Sequence, residues 1–416
     1  MSAFQSSAAD AAVKEINWKR NLFVIWLGQI IAHCAHSFVL PFIVYYMEER
    51  FEITDATKLG IYNQAFYFFG MLTFCISNPL WGALGDRYGR KLMLLRAYFL
   101  NSLCIPLMLV APNIFWLIVV RALASCFSGT ISASQALAVS TIPEKKHGFA
   151  LGALSAALWS GTIFGYLCGA KVKDAFGYPA AFLTCGVLLF ISALITLLFA
   201  KENFVHRSKP SAEPAAGRRE PAVLTATILA LLGLLCLQSA ARRMEMTSLP
   251  ILVKDICNAN GIGYLKTLVA GRIYALSAIG GLISGVLIGA LSDRFKAWKL
   301  ALPAFTVAGA MMLFQAYTNS LWALATFRFF CFFAAGGIEP VILSRLTQST
   351  PPDHRGTVLG WSASVRVTGY LLSAGVSALV IKATAEERNV FVAAGVIMLL
   401  LIPVCMIVLR PRNEAR

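Results

Sequence analysis

Charge is what this chain of 416 residues has least of: Asp, Glu, Lys and Arg together make up 13%, about half the share of an ordinary soluble domain. So little charge cannot clothe a water-soluble surface, and 58% hydrophobic residues with a mean hydropathy of +0.70 exclude that class outright. Chemistry-bearing patterns are missing too. There is no GxxxxGK[ST] and no soluble segment to house one, which excludes an ATP-driven motor within the chain. No GxSxG and no HExxH occur, so nothing argues for an enzyme. The ten cysteines form no CxxC and no grouping with the five histidines, so they read as small buried apolar residues, and no metal or cofactor is expected. The first eighteen residues hold no apolar h-region, so no cleavable signal peptide is expected and the first span would direct insertion itself.

What the chain does have is long apolar runs. Crossing the hydrocarbon takes about 20 apolar residues per helix. Spans are predicted at residues 20–47, 59–81, 92–110, 113–140, 148–170 and 178–200, then at 222–253, 264–291, 300–317, 321–347, 357–381 and 390–409. The fold class is therefore an all-α membrane protein of twelve helices in two six-helix halves, residues 1–200 and 222–416. The Pro-, Ala- and charge-rich stretch 201–221 is a cytoplasmic linker between them.

The net charge of +16 is unevenly placed. Basic residues crowd alternate connections, among them Arg87, Arg90, Lys91 and Arg96, then Arg207, Lys209, Arg218 and Arg219, and Arg410 and Arg412. The opposite connections are acidic, with Glu48, Glu49, Glu52, Asp55, Glu386 and Glu387. This is the positive-inside pattern with both termini cytoplasmic, and it accounts for the basic excess without a nucleic-acid partner.

The halves repeat. GALGDRYGRK at residues 82–91 returns as GALSDRFKAW at 289–298, an offset of 207 from Asp86 to Asp293. Arg121 and Arg328 share that offset, and Pro41 and Pro250 differ by 209. A duplicated charged turn in two apolar halves marks a doubled membrane unit. Gly82 and Gly85 leave room for close packing, and Asp86, Arg90 and Lys91 suit a latch in which Asp86 faces a helix N-terminus and is held by Arg90. In the second copy Asp293 and Arg294 are kept, but Lys296 and Ala297 replace Gly89 and Arg90, which predicts a weaker latch.

At the offset of 209, Gln29, His33 and His36 fall on Gln238, Arg242 and Glu245. Positions i, i+4 and i+7 share one helical face, so the leading helix of each half carries one polar stripe. Facing lipid, each charge would cost about 2.5–3.5 kcal/mol, so both stripes are expected to face a wet cavity between the halves. Small-residue seams at 161–169 and 280–285 predict close helix packing.

The residues at 17–28, the turn at 82–91, Arg121 in RALASCFSG and SASVRVTGY at 362–370 together resemble the major facilitator superfamily, in particular twelve-helix drug:proton antiporters similar to bacterial multidrug efflux proteins. The resemblance covers nearly the whole chain, although Tyr166 stands where the antiporter pattern of the fifth helix has Pro. It implies a monomer in a bacterial inner membrane that moves a small organic solute by alternating access in exchange for protons. It also implies a gate role for Asp86 and Arg90 and a proton-coupling role for Arg121.

Within the spans, Glu245 and Glu339 are the acids able to carry a proton, Glu245 first because it shares a stripe with Arg242; Glu339 could instead partner Arg366 or Arg121. His33 and His36 could carry protons or hydrogen-bond the solute. Arg242, Arg243 and Arg366 could clamp a carboxylate or phosphate, which keeps an organic-anion carrier, importing or exporting, as the alternative. Tyr62 and Phe66, with Asn63, Gln64, Tyr67 and Trp159, are read as a cavity wall, and Gln29 and Gln238 as part of it. The reading from another class is a membrane receptor or scaffold that transports nothing.

Overall fold

In hydrocarbon every backbone N–H and C=O must find its partner within the protein, which leaves helices and closed barrels as the spanning structures. The computed structural model describes residues 17–143, 146–202, 225–292, 295–350 and 355–409, and among these there is no strand. The α-helices are α1 (Trp18–Val39), α2 (Ile43–Arg50), α3 (Ala56–Tyr88), α4 (Arg90–Leu107), α5 (Ile114–Cys126), α6 (Thr130–Thr141), α7 (His147–Phe199) and α8 (Ala226–Ala259). They continue as α9 (Lys266–Ser292), α10 (Ala297–Tyr317), α11 (Leu321–Ala335), α12 (Ile338–Gln348), α13 (Arg355–Thr384) and α14 (Arg388–Leu409).

Eleven stretches are long and apolar enough to cross a bilayer, so the chain is an integral membrane protein. One of them covers 51 residues, about 75 Å of helix where about 30 Å suffices. It breaks at Gly177, whose φ of 80° is left-handed and followed two residues later by Pro179, so α7 crosses twice and the crossings number twelve. Three other spans are broken. Pro41 opens a 3-10 turn, Leu40–Phe42, between α1 and α2. Gly129, with φ 109°, separates α5 from α6, and Gly336 and Gly337 separate α11 from α12. Gly129 and Gly336 lie 207 residues apart, so the duplication extends to where each half bends its fourth crossing.

The fifth crossing of each half lies directly on the first. A side chain at Gly161, Gly165 or Gly169 of α7 would strike the α1 carbonyl oxygens of Ile30, Cys34 or Phe38. Gly369 of α13 meets Cys236 O of α8 in the same way. Backbone-to-backbone approach replaces the missing hydrophobic drive between helices in lipid.

The halves meet along α3 with α13 and α7 with α9. Every hydrogen bond and ion pair between the halves among the described residues lies toward one end, away from the turn at 82–91. At the turn end, Gly82, Gly152, Gly285 and Gly360 have open space where a side chain would go. Among the described residues the bonds between the halves thus gather at the far end. Gly82 makes no close packing among the described residues, contrary to expectation; Gly85 packs on Met93.

Gly165→Val is expected to force α7 off α1 at a cost of about 1–3 kcal/mol, visible as a lower melting temperature of the detergent-solubilised protein. Gly360→Ala, set in open space, should melt within error of the parent.

Candidate functional site

The far seal is built on polar contacts from four helices. Tyr45 Oη donates to Pro250 O at 2.6 Å, and Asn63 Nδ2 donates to Thr247 O at 3.0 Å. Gln64 Nε2 donates to Ser248 Oγ at 3.3 Å while its carbonyl accepts from Thr247 Oγ1 at 3.2 Å. Nearer the end, Glu48 binds Lys254 at 2.8 Å and Lys266 at 3.2 Å, and Lys266 also reaches Glu49 at 3.4 Å. Asn63 and Gln64, expected to line a wall, therefore close the seal, and Tyr62 on the same helix is an exposed surface residue.

Below the seal the halves touch through aromatic rings. Tyr166 stacks on Tyr274 with centroids 4.9 Å apart, which is what Tyr does at the position where the resemblance has Pro. Trp159 of α7 lies against Gly281 of α9, where any side chain would displace it. The Arg243 guanidinium rests 5.4 Å from the Tyr67 ring of the other half and 5.6 Å from Tyr370 of its own. Tyr67 is fixed by donating its hydroxyl to Leu40 O at 2.9 Å, a carbonyl at the break that Pro41 makes. Arg121 lies 5.2 Å from the Phe66 ring and close enough to His36 and Arg243 to feel their charge. Neither Arg121 nor Arg243 has an ion pair among the described residues, and the Nε of each is buried without a hydrogen-bond partner. Two guanidinium groups without an ion pair thus lie near each other below the seal.

The first half and the second half treat the duplicated arginine differently. Arg328, the repeat of Arg121, donates to Glu245 Oε1 at 2.6 Å and to Gln315 Oε1 at 3.4 Å, and both ionic side chains are sealed from solvent. It also sits over Phe332 and Tyr274. Glu245 therefore does not share a wet stripe with Arg242, because the half buries its own arginine and takes the nearest acid to do so; Arg242 lies over Phe332 instead. At the Glu245 position the first half has His36, whose Nδ1 lies 2.8 Å from Ala32 O. Glu339 is ion-paired to Arg366, one of the two partners the sequence allowed.

The rest of the expected stripes are not on the cavity. Gln29 is buried against Tyr98 Oη at 2.8 Å and Thr130 O at 3.0 Å, and Gln238 is buried with its Nε2 unpartnered. His33 faces Gly161 in the α1–α7 seam. Phe66 is fully buried under Arg121. One cause covers these cases: three residues on one face of a helix span more arc than the cavity does, and the seams take the remainder.

At the turn, Gly89 has φ 101° and lets α4 start at once after α3. The α4 N-terminus is capped by Glu202, whose two oxygens accept the amides of Arg90 and Lys91 at 2.8 Å each. An acid there satisfies unpaired N–H groups and the positive end of the helix dipole. Lys91 Nζ donates to Leu197 O and Ala200 O at the end of α7, and Arg90 donates to Ala136 O. The Asp86 side chain, Asp293 and Arg294 lie outside the described residues. Glu202, read as the start of the linker, is thus part of the latch; an acid placed just where an apolar run ends was its one signal. Lys201 likewise bonds Asn21 of α1 through both its N–H and its carbonyl.

The profile of the Major Facilitator Superfamily matches residues 25–318 and 273–416. The multidrug resistance protein MdtG of Salmonella heidelberg (strain SL476) is 30% identical over 393 residues, 92% of this chain and 94% of that protein. MdtG of Salmonella typhimurium (strain LT2) is 31% identical over 392 residues with the same coverage. Among solved structures, the nucleoside transporter NupG superposes with a TM-score of 0.72 at 13% identity, covering 95% of this chain and all of NupG. The human organic anion transporter MFSD10 does so with 0.66 at 16% identity, covering 94% and 99%. At those identities the structures speak for the fold alone.

Glu245→Gln is expected to strand Arg328 and cost about 3–5 kcal/mol, read as a large drop in melting temperature or loss of folded yield. The double variant Glu245→Leu/Arg328→Leu, with no charge left to neutralise, should recover most of that loss.

Proposed function

The chain belongs to the major facilitator superfamily, a family of transporters and not of enzymes, and on that premise we propose that it exports a small organic solute across a bacterial inner membrane in exchange for protons. The observation that carries this reading is the pairing of a bonded far seal with open space at the turn-end glycines, over a central floor of Arg121, Arg243, Tyr67 and Tyr370. A carrier needs one closed and one open access to a site near mid-depth. The basic turn end is the cytoplasmic one by the positive-inside rule, so the conformation is the one that loads from inside. The likeness to MdtG over most of both chains supports outward movement of drug-like solutes.

Proton coupling falls to His36 with Arg121, and to Glu339 with Arg366, rather than to Glu245 or to His33 in the α1–α7 seam. The Glu245 carboxylate is bonded at 2.6 Å to a sealed arginine and has no route to water. Gly82, Gly85, Asp86, Arg90 and Lys91 serve the cytoplasmic gate together with Glu202. Both ends of the site are formed by the two halves of one chain, which supports a monomer as the transporting unit.

One observation favours a solute bearing negative charge. Arg121 and Arg243 meet no acid at the floor, and an anion placed between them would gain from both while a cation would be repelled. The organic-anion alternative therefore stands for the solute class within the export reading. A receptor that transports nothing has no observation in its favour.

Purified protein in liposomes with an internal pH-sensitive dye should show solute-driven proton flux. Arg243→Ala is expected to slow flux driven by organic anions at least tenfold, with folded yield unchanged because Arg243 has no ion pair to lose. Flux driven by lipophilic cations and indifferent to Arg243→Ala would overturn the anion reading, and the absence of flux with every solute tried would overturn export.

A further inference from the structure

Glu387 stands in the short connection between α13 and α14 at the far end, and it is only 8% exposed although Glu386 before it is open to solvent and Arg388 after it is half-buried. It comes from the second half, yet its carboxylate lies against Gly60 of α3 in the first, so closely that any side chain at Gly60 would collide with it. Both carboxylate oxygens are buried and meet no cation, and the one donor near them is the neutral Ser248 hydroxyl. A carboxylate normally brings a lysine or arginine into such a place. None does so here among the described residues, and the charged neighbours explain why.

On its own connection, the Arg388 guanidinium is turned away onto the end of α10, donating to Ala316 O, Thr318 O and Asn319 Oδ1. Glu386 beside it is a second acid and accepts from Asn389. From α8, Asp255 faces the same small cleft, and Lys254 is committed to Glu48. From the start of α3, Lys58 lies 3.9 Å from Asp55 and is exposed. Lys382, on α13, is exposed as well. The cleft lined by Thr57, Ile251, Asp255, Ile381 and Arg388 thus brings Glu387 no ion pair, because the one base on its wall, Arg388, gives its donors to the end of α10.

We propose that Glu387 is a proton-binding site of the far gate: it takes up one proton as the halves close on that side and releases it to the outside when they part. An ionised Glu387 would have to be desolvated against Gly60 with no cation to receive it, whereas the neutral acid fits the same space without that cost. Burial pushes the carboxyl up to about 7, the Ser248 hydroxyl lowering it in part and Asp255 adding to the rise. The sign follows. Closed, the group holds its proton to about pH 7; open and hydrated, it returns toward the ordinary 4.5. Closure at the far end is therefore favoured below that ordinary value and loses its advantage as the pH rises through 7. An exporter that admits a proton from outside only as it shuts its outer gate would be drawn back to the loading conformation by external acid.

The proposal rests on the alternating-access reading, but its test follows gate position with no solute present, so it fails or stands apart from the export reading. The full-length protein in lipid nanodiscs would be examined at about pH 5.5 and at about pH 8, where the closed-to-open ratio should fall about 30-fold. One readout is the distance between spin-labelled unnatural residues at positions 58 and 382, exposed sites on opposite halves. The other is alkylation of Cys257, which is fully buried beside Tyr45 of the seal, followed by peptide mass spectrometry. The parent should lengthen the 58–382 distance and react faster at the higher pH. Glu387→Gln, a permanent mimic of the neutral acid, should stay closed at both. Comparing the two proteins at each pH cancels the thiol's own titration. A parent whose gate ignores pH, or a Glu387→Gln variant that keeps the parent's pH response, overturns the proposal.

Discussion

The ion pair between Glu245 and Arg328, 2.6 Å long and closed to solvent, is the interaction on which the asymmetry of the molecule depends. A guanidinium in a membrane interior must be neutralised or hydrated. The second half neutralises it with the acid of its own leading helix and becomes a self-contained block. The first half carries His36 at the corresponding position, and its arginine, Arg121, stays without an acid. One duplicated framework therefore yields an inert arginine on one side and an available one on the other. Arg243 adds a second available charge across the seam. The central floor is positive because the acid that the duplication supplies has been spent inside one half.

The second constraint is close backbone approach. The α1–α7 and α8–α13 seams lie so near that glycine is required along one face, and such seams bind each half into a unit that moves as a whole. Between the halves the contacts are of another kind: ion pairs near an aqueous face, hydrogen bonds to carbonyls and stacked rings. Pairs such as Glu48 with Lys254 and Lys266 are individually weak where water reaches them. A seal made of many weak, polar contacts can be broken and remade, which the glycine seams cannot.

Access is governed from the two ends by different chemistry. At the turn, Glu202 caps α4 while Lys91 holds the carbonyl end of α7 and Arg90 bonds a carbonyl within α6, so backbone groups receive the charges. At the far end, Glu387 is buried without a cation, and the seal there includes a group whose charge state differs between closed and open forms. The two ends of the bundle are thus held differently, one by contacts at helix termini and the other, on our proposal, by a contact that titrates.

Twelve crossings, their order and the duplication were legible in the sequence, because hydropathy and an offset of 207 residues are properties read along the chain. Even the bends at Gly129 and Gly336 carry the repeat. The pairing of charges was not legible. Arg121, Arg242, Arg243, Arg328 and Arg366 are chemically alike in a list, and each acid had several of them within reach in principle. The partner of Glu245 lies 83 residues away and that of Arg90 and Lys91 more than a hundred. Periodicity could put Gln29, His33 and His36 on one helical face but could not say that the face is divided between a seam and a cavity. A helix fixes only the angles between its own side chains; what each one meets is set by how its neighbours are rotated and spaced, and that is decided by packing across the whole bundle.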